Sequence, residues 1–303
     1  MAVTAPRLWL DGALVDSASA TLPVMAHAAQ RGSLVFDAGS FHPTPRGPAL
    51  FRAREHIARF LRSARAVGLE LAYGEEELLR ASVEVVRATG KDEGLVRWSG
   101  FFTASVPDLM PRSWHGGVAV AAQLLEEPGV PKPVRVATFP DACKAAPEAL
   151  DPSVKVSSAY LGPMLHRRRA KAAGADDIVL LDREGHIAEA PVSNVFAVVR
   201  GAVWTPPLRY VLGGITRDSV LALARAEGIP VREEPLPLDT FRSADEAFLS
   251  GTSLPLAAIS HVDGRALSAA PGLVTAHLTR RLVAIQSGQD EAFEAWLTRI
   301  GNP

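Results

Sequence analysis

Lys155, Tyr160 and Glu189, followed by the runs Gly213-Gly214-Ile215-Thr216-Arg217 and Gly251-Thr252-Ser253, stand in that order along a chain of 303 residues. Their types supply an amine able to add to a carbonyl, a phenol five residues beyond it, a carboxylate able to face a heteroaromatic nitrogen, and two backbone sites for an anion. Lys155 sits in Ser153-Val154-Lys155-Val156-Ser157, a stretch with few neighbouring charges. Desolvation in such a stretch favours the neutral, nucleophilic amine. A lysine by itself is usually a solvated surface charge, so its companions must carry the argument.

Each companion admits a plainer reading. Thr216 opens the helical pattern Val220, Leu221, Leu223, Ala224, and two glycines before it let consecutive N–H groups converge on one point. A helix start with open donors holds an anion, but Thr216 could equally be an ordinary N-cap behind a glycine loop. Gly251-Thr252 follows the strand-like 246–250 segment and is either a close-approach site for a ligand or a simple turn. Arg59 shares the polar side of a helix with Arg52, His56 and Ser63, which reads as a solvated face or as a charge-assisted contact to phosphate. Glu189, among apolar neighbours in His186-Ile187-Ala188-Glu189-Ala190, needs a partner if buried: an arginine, or a protonated pyridine nitrogen. Taken as an inventory, these groups fit pyridoxal 5′-phosphate.

The elements that must position them are read from periodicity and turn residues. A hairpin is expected over 7–15 around Asp11-Gly12. Helices are expected over 50–67, with Ile57, Phe60, Leu61, Ala64 and Val67 on one side and Gly68 ending it, and over 75–88. Strands follow at 95–103 and 117–124. Residues 126–133 hold three prolines and a glycine and read as a linker between a small domain, 1–125, and a larger one, 134–303. In the larger part, strands are expected at 177–182, 195–199 and 203–205, and helices at 160–173, 217–227 and 273–286. The fold class is α+β: two domains, a small N-terminal α/β domain and a larger one with a mixed β core.

Composition excludes several classes. Lys plus Arg number 32 against 33 Asp plus Glu, so no overall field draws the chain to nucleic acid or to an anionic membrane. One cysteine, Cys143, forms no internal disulfide, and no spaced Cys and His suggest a metal. No stretch is apolar and long enough to span a bilayer, and a cytoplasmic location is expected.

In order and kind, these segments resemble class IV (fold type IV) pyridoxal-phosphate aminotransferases of the branched-chain/D-amino-acid type. Lys155 and Tyr160 match the family's Schiff-base lysine and following tyrosine, and Glu189 with Ser193-Asn194-Val195-Phe196 its glutamate and Ser-Asn strand. Thr205-Pro206-Pro207-Leu208, Leu212 and Gly214-Ile215-Thr216-Arg217 look like its phosphate-loop region, and Ala244-Asp245-Glu246-Ala247-Phe248 with Gly251-Thr252 is similar too. Glu55-His56-Ile57-Ala58-Arg59 resembles its phosphate-arginine segment. The resemblance covers nearly the whole chain, including the ending from Gly288 to Trp296-Leu297-Thr298. It implies that Lys155 holds the cofactor and later moves the substrate's Cα proton, that Glu189 holds the ring nitrogen and Tyr160 the ring oxygen, and that Leu212 packs on the ring. It gives Arg59, Ile215, Thr216 and Thr252 to the phosphate. It also implies at least a homodimer, with an amino donor and a keto acid as small-molecule partners.

Departures fall on the substrate side. The family's Phe-Glu-Gly-Ile-Arg stands here as Phe36-Asp37-Ala38-Gly39-Ser40, its Tyr-Ile-Arg-Pro as Leu95-Val96-Arg97-Trp98, and Ser253-Leu254-Pro255 replaces small and acidic residues. Phe36, Arg97, Trp98 and Ser253 are therefore the candidate substrate contacts. Arg97 binds a carboxylate or serves as a structural brace, and Trp98, Phe101 and Phe102 are candidates to line a pocket. The expected reaction is ping-pong amino transfer between an amino acid or amine and a 2-keto acid. A D-amino-acid or (R)-amine aminotransferase is the nearest alternative, with Val231-Arg232-Glu233-Glu234-Pro235 similar to that branch. A lyase of the aminodeoxychorismate lyase type is the alternative from another class.

Overall fold

The computed structural model describes residues 2–104, 108–125 and 132–301. The chain forms two compact units, the first of Met1–Pro128, Val154–Ser158 and Ala284–Pro303, the second of Gly129–Ser153 and Ala159–Val283. The first unit thus takes two pieces from the chain beyond residue 134. Backbone pairing explains both: Val156 bridges to Val35, and the short strand Leu297–Arg299 pairs with residues 49–51. Of the expected linker, residues 126–131 lie outside the described residues.

In the first unit, strands β1 (Ala2–Leu10), β2 (Ala13–Asp16), β3 (Val35–His42), β4 (Ala49–Phe51), β5 (Gly94–Phe101) and β6 (Gly117–Leu125) join the Leu297–Arg299 strand. Together they make one seven-stranded antiparallel sheet in the order C-terminal strand, β4, β3, β5, β6, β1, β2. Asp11 and Gly12 turn the expected hairpin with φ of 45° and 99°. Three helices accompany the sheet: α1 (His27–Arg31), α2 (Ala53–Ala66) and α3 (Glu75–Thr89). Helix α2 starts later than its apolar spacing suggested, because residues 49–51 are drawn into β4. Ile57, Phe60 and Ala64 are buried as expected. Gly68, at φ 73°, lets the chain leave α2 where a Cβ would strike the Trp114 ring at 2.7 Å.

In the second unit the strands are β7 (Val134–Ala137), β8 (Asp177–Ile178), β9 (His186–Ile187), β10 (Glu189–Ala190), β11 (Ser193–Val199), β12 (Ala202–Thr205), β13 (Val231–Glu233), β14 (Leu236–Pro237), β15 (Glu246–Ser250), β16 (Leu256–Val262) and β17 (Arg265–Ala266). A mixed sheet runs β13-β12-β11-β15-β16-β7-β8, with β10 on β11 and β17 on β16, while β9 pairs with β14. Its core gathers Val136, Leu181, Val195, Ala197, Phe241, Leu249 and Ile259. The helices are α4 (Leu161–Ala172), α5 (Ile215–Ala226), α6 (Leu238–Arg242) and α7 (Leu273–Gln286), of which residues 273–283 belong to this unit.

The apolar run 177–182 is a strand only over its first two residues. Beyond them each N–H finds a different neighbour: Val179 donates to Ala137, Leu180 to Glu189 and Leu181 to Ala142. Glu246, inside a segment the sequence marked out, works as a helix cap. Its two oxygens accept from the N–H groups of Val274 and Thr275 at 3.0 and 2.8 Å, closing the start of α7.

Candidate functional site

The first unit pins the main chain around Lys155. Phe36 N–H donates to Lys155 O at 3.0 Å, Ser157 N–H to Leu34 O at 2.8 Å and Ser158 N–H to Gly32 O at 3.1 Å. The Lys155 N–H in turn donates to Ser63 Oγ on α2 at 3.0 Å. The amine stands 4.9 Å from the centre of the Phe36 ring, over which the Arg97 guanidinium also lies, at 4.1 Å. Phe36 and Arg97 share a sheet face by register, since Phe36 pairs with Ser99 and Ala38 with Arg97.

The polar side of α2 is not solvated. His56, Arg59 and Ser63 are 1, 5 and 1% exposed, and the first two close on Asp37 of β3, itself fully buried. Arg59 donates from Nε to Asp37 Oδ2 at 2.7 Å and from Nη2 to Oδ1 at 2.8 Å, while His56 Nδ1 lies 2.7 Å from Oδ1. Burial raises the Asp37 carboxyl's pKa, but Arg59 and then His56 outweigh it and hold the group well below the usual carboxylate range. His56 is lowered, chiefly by burial and further by Arg59 and Lys155, against the pull of Asp37. Facing a carboxylate that can only accept, Nδ1 is the ring nitrogen that carries a proton.

The second unit holds a buried carboxylate and a glycine-led helix start. Glu189 on β10 is buried; its Oε1 accepts from Lys144 Nζ at 2.6 Å, and its Oε2 from Leu212 N–H at 3.0 Å and Asn194 Nδ2 at 3.3 Å. Asn194 also donates to Leu212 O at 2.9 Å, fixing the loop that leads into α5. That helix begins at Ile215, two residues before the sequence placed it, with Gly214 as N-cap. A Cβ at Gly214 would come 2.1 Å from Asn194 Oδ1, so only glycine permits this approach. Thr216 is buried in the first turn, and Arg217 anchors it by donating to Pro206 O and Glu233, both at 2.9 Å. Ser250 stands opposite Asn194 in the ladder, and its Oγ is buried with no hydrogen-bond partner.

Of the expected residues, Lys155, Arg59, Phe36 and Arg97 thus gather in the first unit, and Glu189, Leu212, Ile215 and Thr216 in the second. Tyr160 is half-buried and ends the 3₁₀ turn Ser157–Tyr160. Thr252 is half-buried, and Ser253 beside it is exposed. Trp98 requires correction: it is fully buried, donates from Nε1 to Ser82 Oγ at 2.9 Å and stacks on His56, so it lines no open pocket. The strand's alternation sends it to the face opposite Arg97. Phe102 is likewise core, edge-on to His27. Asp37, Ser63, Lys144 and Ser250 were not anticipated as site residues. A carboxylate with two cationic or imidazole partners has no local signature, though Lys144 between Cys143 and Ala145-Ala146 was a charge in apolar surroundings.

These groups fit pyridoxal 5′-phosphate. The first unit offers an amine and a guanidinium, the second a buried carboxylate and a glycine-led helix start. The lone Ser250 hydroxyl adds a second sign, because leaving such a group unbonded costs about 1–3 kcal/mol that an acceptor would recover. Among the described residues no group of three or more His, Cys, Asp and Glu could hold a metal, and no helix is long and apolar enough to cross a membrane.

Residues 35–262 match the family model described as amino-transferase class IV. The chain is 30% identical over 303 residues to a branched-chain-amino-acid aminotransferase of Pseudomonas aeruginosa, covering 97% of each chain. A crystal structure of a branched-chain aminotransferase from Thermoproteus uzoniensis with norvaline superposes with a TM-score of 0.93 at 32% identity, covering 98% of this chain and 100% of that one. A T.th. branched-chain amino acid aminotransferase, complexed with N-(5′-phosphopyridoxyl)-L-glutamate, does so with a TM-score of 0.94 at 32% identity, covering 98 and 99%.

Proposed function

The chain belongs to the class IV aminotransferases, and from that premise we propose that it moves an amino group between an amino acid and a 2-keto acid in a ping-pong cycle, with Lys155 as its catalytic residue. It is a pyridoxal-phosphate enzyme. The observation that carries the residue assignment is the restraint on Lys155: the main chain from 155 to 158 is tied down at four points, while its amine stands over the Phe36 ring.

Bound pyridoxal phosphate supplies the carbonyl that takes up the amino group and the ring that accepts the electrons released at the substrate Cα. Lys155 moves the proton between that Cα and the cofactor's C4′, acting as base and then as acid. Glu189 holds the proton at the ring nitrogen, Tyr160 donates to the ring oxygen and Leu212 covers the ring. Arg59, Ile215, Thr216 and Thr252 hold the phosphate, the middle two through main-chain N–H groups. Arg97 and Phe36 meet the substrate, Arg97 through a carboxylate, and Ser253 stands at the solvent edge.

The protein works as a homodimer in the cytoplasm. Leu161, Met164 and Leu165 form an exposed apolar stripe along α4, 61, 56 and 50% exposed, which suits a subunit contact. A single exposed thiol, Cys143, suits a reducing compartment.

The test is the visible spectrum of the cofactor-loaded protein, to which single L- and D-amino acids and amines are added and then a keto acid. One donor is expected to bleach the band, a keto acid to restore it, and Lys155→Ala to do neither. Product released continuously without an acceptor would instead mark a lyase, and no response to any donor would end the transferase reading.

A further inference from the structure

We propose that Lys144 is a positioning residue whose ammonium holds one oxygen of Glu189 and thereby keeps the cofactor's ring proton on nitrogen. The proposal rests on the role given above to Glu189. The pair is shielded: Lys144 Nζ lies 2.6 Å from Glu189 Oε1, with side chains 15 and 10% exposed. Exposed pairs contribute little, but one so enclosed keeps its field.

Both partners belong to one backbone framework. Lys144 N–H donates to Leu181 O at 2.9 Å, Leu181 N–H to Ala142 O at 3.0 Å, and the adjacent Leu180 N–H to Glu189 O at 3.0 Å. Neither side chain's root can move without breaking this ladder. The other carboxylate oxygen is fixed by Leu212 N–H and Asn194. Glu189 therefore meets a ring nitrogen with both oxygens oriented and one of them held by the Lys144 amine. A carboxylate held in this way is oriented to accept a hydrogen bond from the ring N–H. The shared proton stays on the ring nitrogen, and the ring keeps the positive charge that draws electrons from the reacting carbon. An arginine at this position would act the same way, whereas an apolar side chain would not.

The proposal is tested by ¹⁵N and ¹H NMR of the ring N–H in holoenzyme reconstituted with ring-¹⁵N pyridoxal phosphate, at one pH, for the wild type, K144M, K144R and E189Q. K144M is expected to move the ¹⁵N resonance toward neutral pyridine by roughly a tenth or more of the protonated-to-neutral interval, with K144R unchanged. K144Q replaces K144M should the latter not fold. A K144M resonance coincident with wild type, while E189Q moves, overturns the proposal and leaves Lys144 a structural ion pair. If E189Q also coincides with wild type, Glu189 is not the ring's partner and the underlying assignment falls with it.

Discussion

Asp37→Asn is the substitution whose cost the geometry defines best. Asp37 is fully buried and accepts from Arg59 Nε and Nη2, from His56 Nδ1 and from Ala38 N–H, all at 2.7–2.8 Å. Asparagine keeps the shape but not the charge, and turns an NH₂ group toward a guanidinium that is itself 5% exposed. Removing one partner of a buried ion pair costs about 3–5 kcal/mol, because the survivor stays buried unpaired. Against a total stability of about 5–15 kcal/mol this is a large fraction. Urea unfolding followed by tryptophan fluorescence reads it, since Trp98 stacks on His56 with ring centres 6.2 Å apart. The same experiment with saturating pyridoxal phosphate carries a second expectation: the variant regains more stability than wild type, because phosphate becomes the anion its stranded Arg59 lacks. A loss below about 1 kcal/mol, the range of exposed pairs, would refute the view of this cluster as a built, water-excluded pair. Equal stabilisation of both proteins by the cofactor would refute Arg59 as a phosphate ligand.

Burial pushes the His42 imidazole, 2.8 Å from Ser40 Oγ, down to about 4. The unfolded chain takes up this proton near pH 6.5 and the folded chain only near 4, so stability falls as pH drops through that window; between pH 7 and 5 the loss is at most about 2 kcal/mol, and His42→Gln should flatten that part of the urea-midpoint profile. Glu246→Ala removes the cap of α7 and should lower stability by about 1–2 kcal/mol, read by the same unfolding, with an unchanged midpoint showing that the cap is dispensable. Ser250→Ala should weaken pyridoxal phosphate binding about tenfold, one hydrogen bond to a charged acceptor, while leaving unphosphorylated pyridoxal unaffected; equal losses for both ligands would place the Ser250 hydroxyl away from the phosphate.

Local periodicity and turn chemistry carried much of the fold. The expected 273–286 helix is α7 to the residue, and the Asp11-Gly12 hairpin forms where its turn pair stands. Such signals are local: a 3.6-residue repeat and a positive-φ turn need no knowledge of the rest of the chain. The 177–182 run failed for the complementary reason. Its apolar character correctly marked burial, but its hydrogen-bond partners are set by three different neighbours.

The candidate site divides along the same line. Residue types and order mark Lys155, Glu189 and the glycine-led start of α5 as candidates, because the proposed chemistry demands those types. Whether a polar face meets water is a different matter. His56, Arg59 and Ser63 recur at helical spacing and read as a wet face, yet β3, across the fold, brings a carboxylate to two of them and the Lys155 backbone follows on the third. The pairs that decide this are 19, 22 and 92 residues apart, and the Lys144 to Glu189 pair 45 apart. No spacing rule reaches so far along a chain. A buried ion pair is legible only once strand order is known, so a cation in an apolar stretch, such as Lys144, is better read as a demand for an unseen anion than as a surface charge.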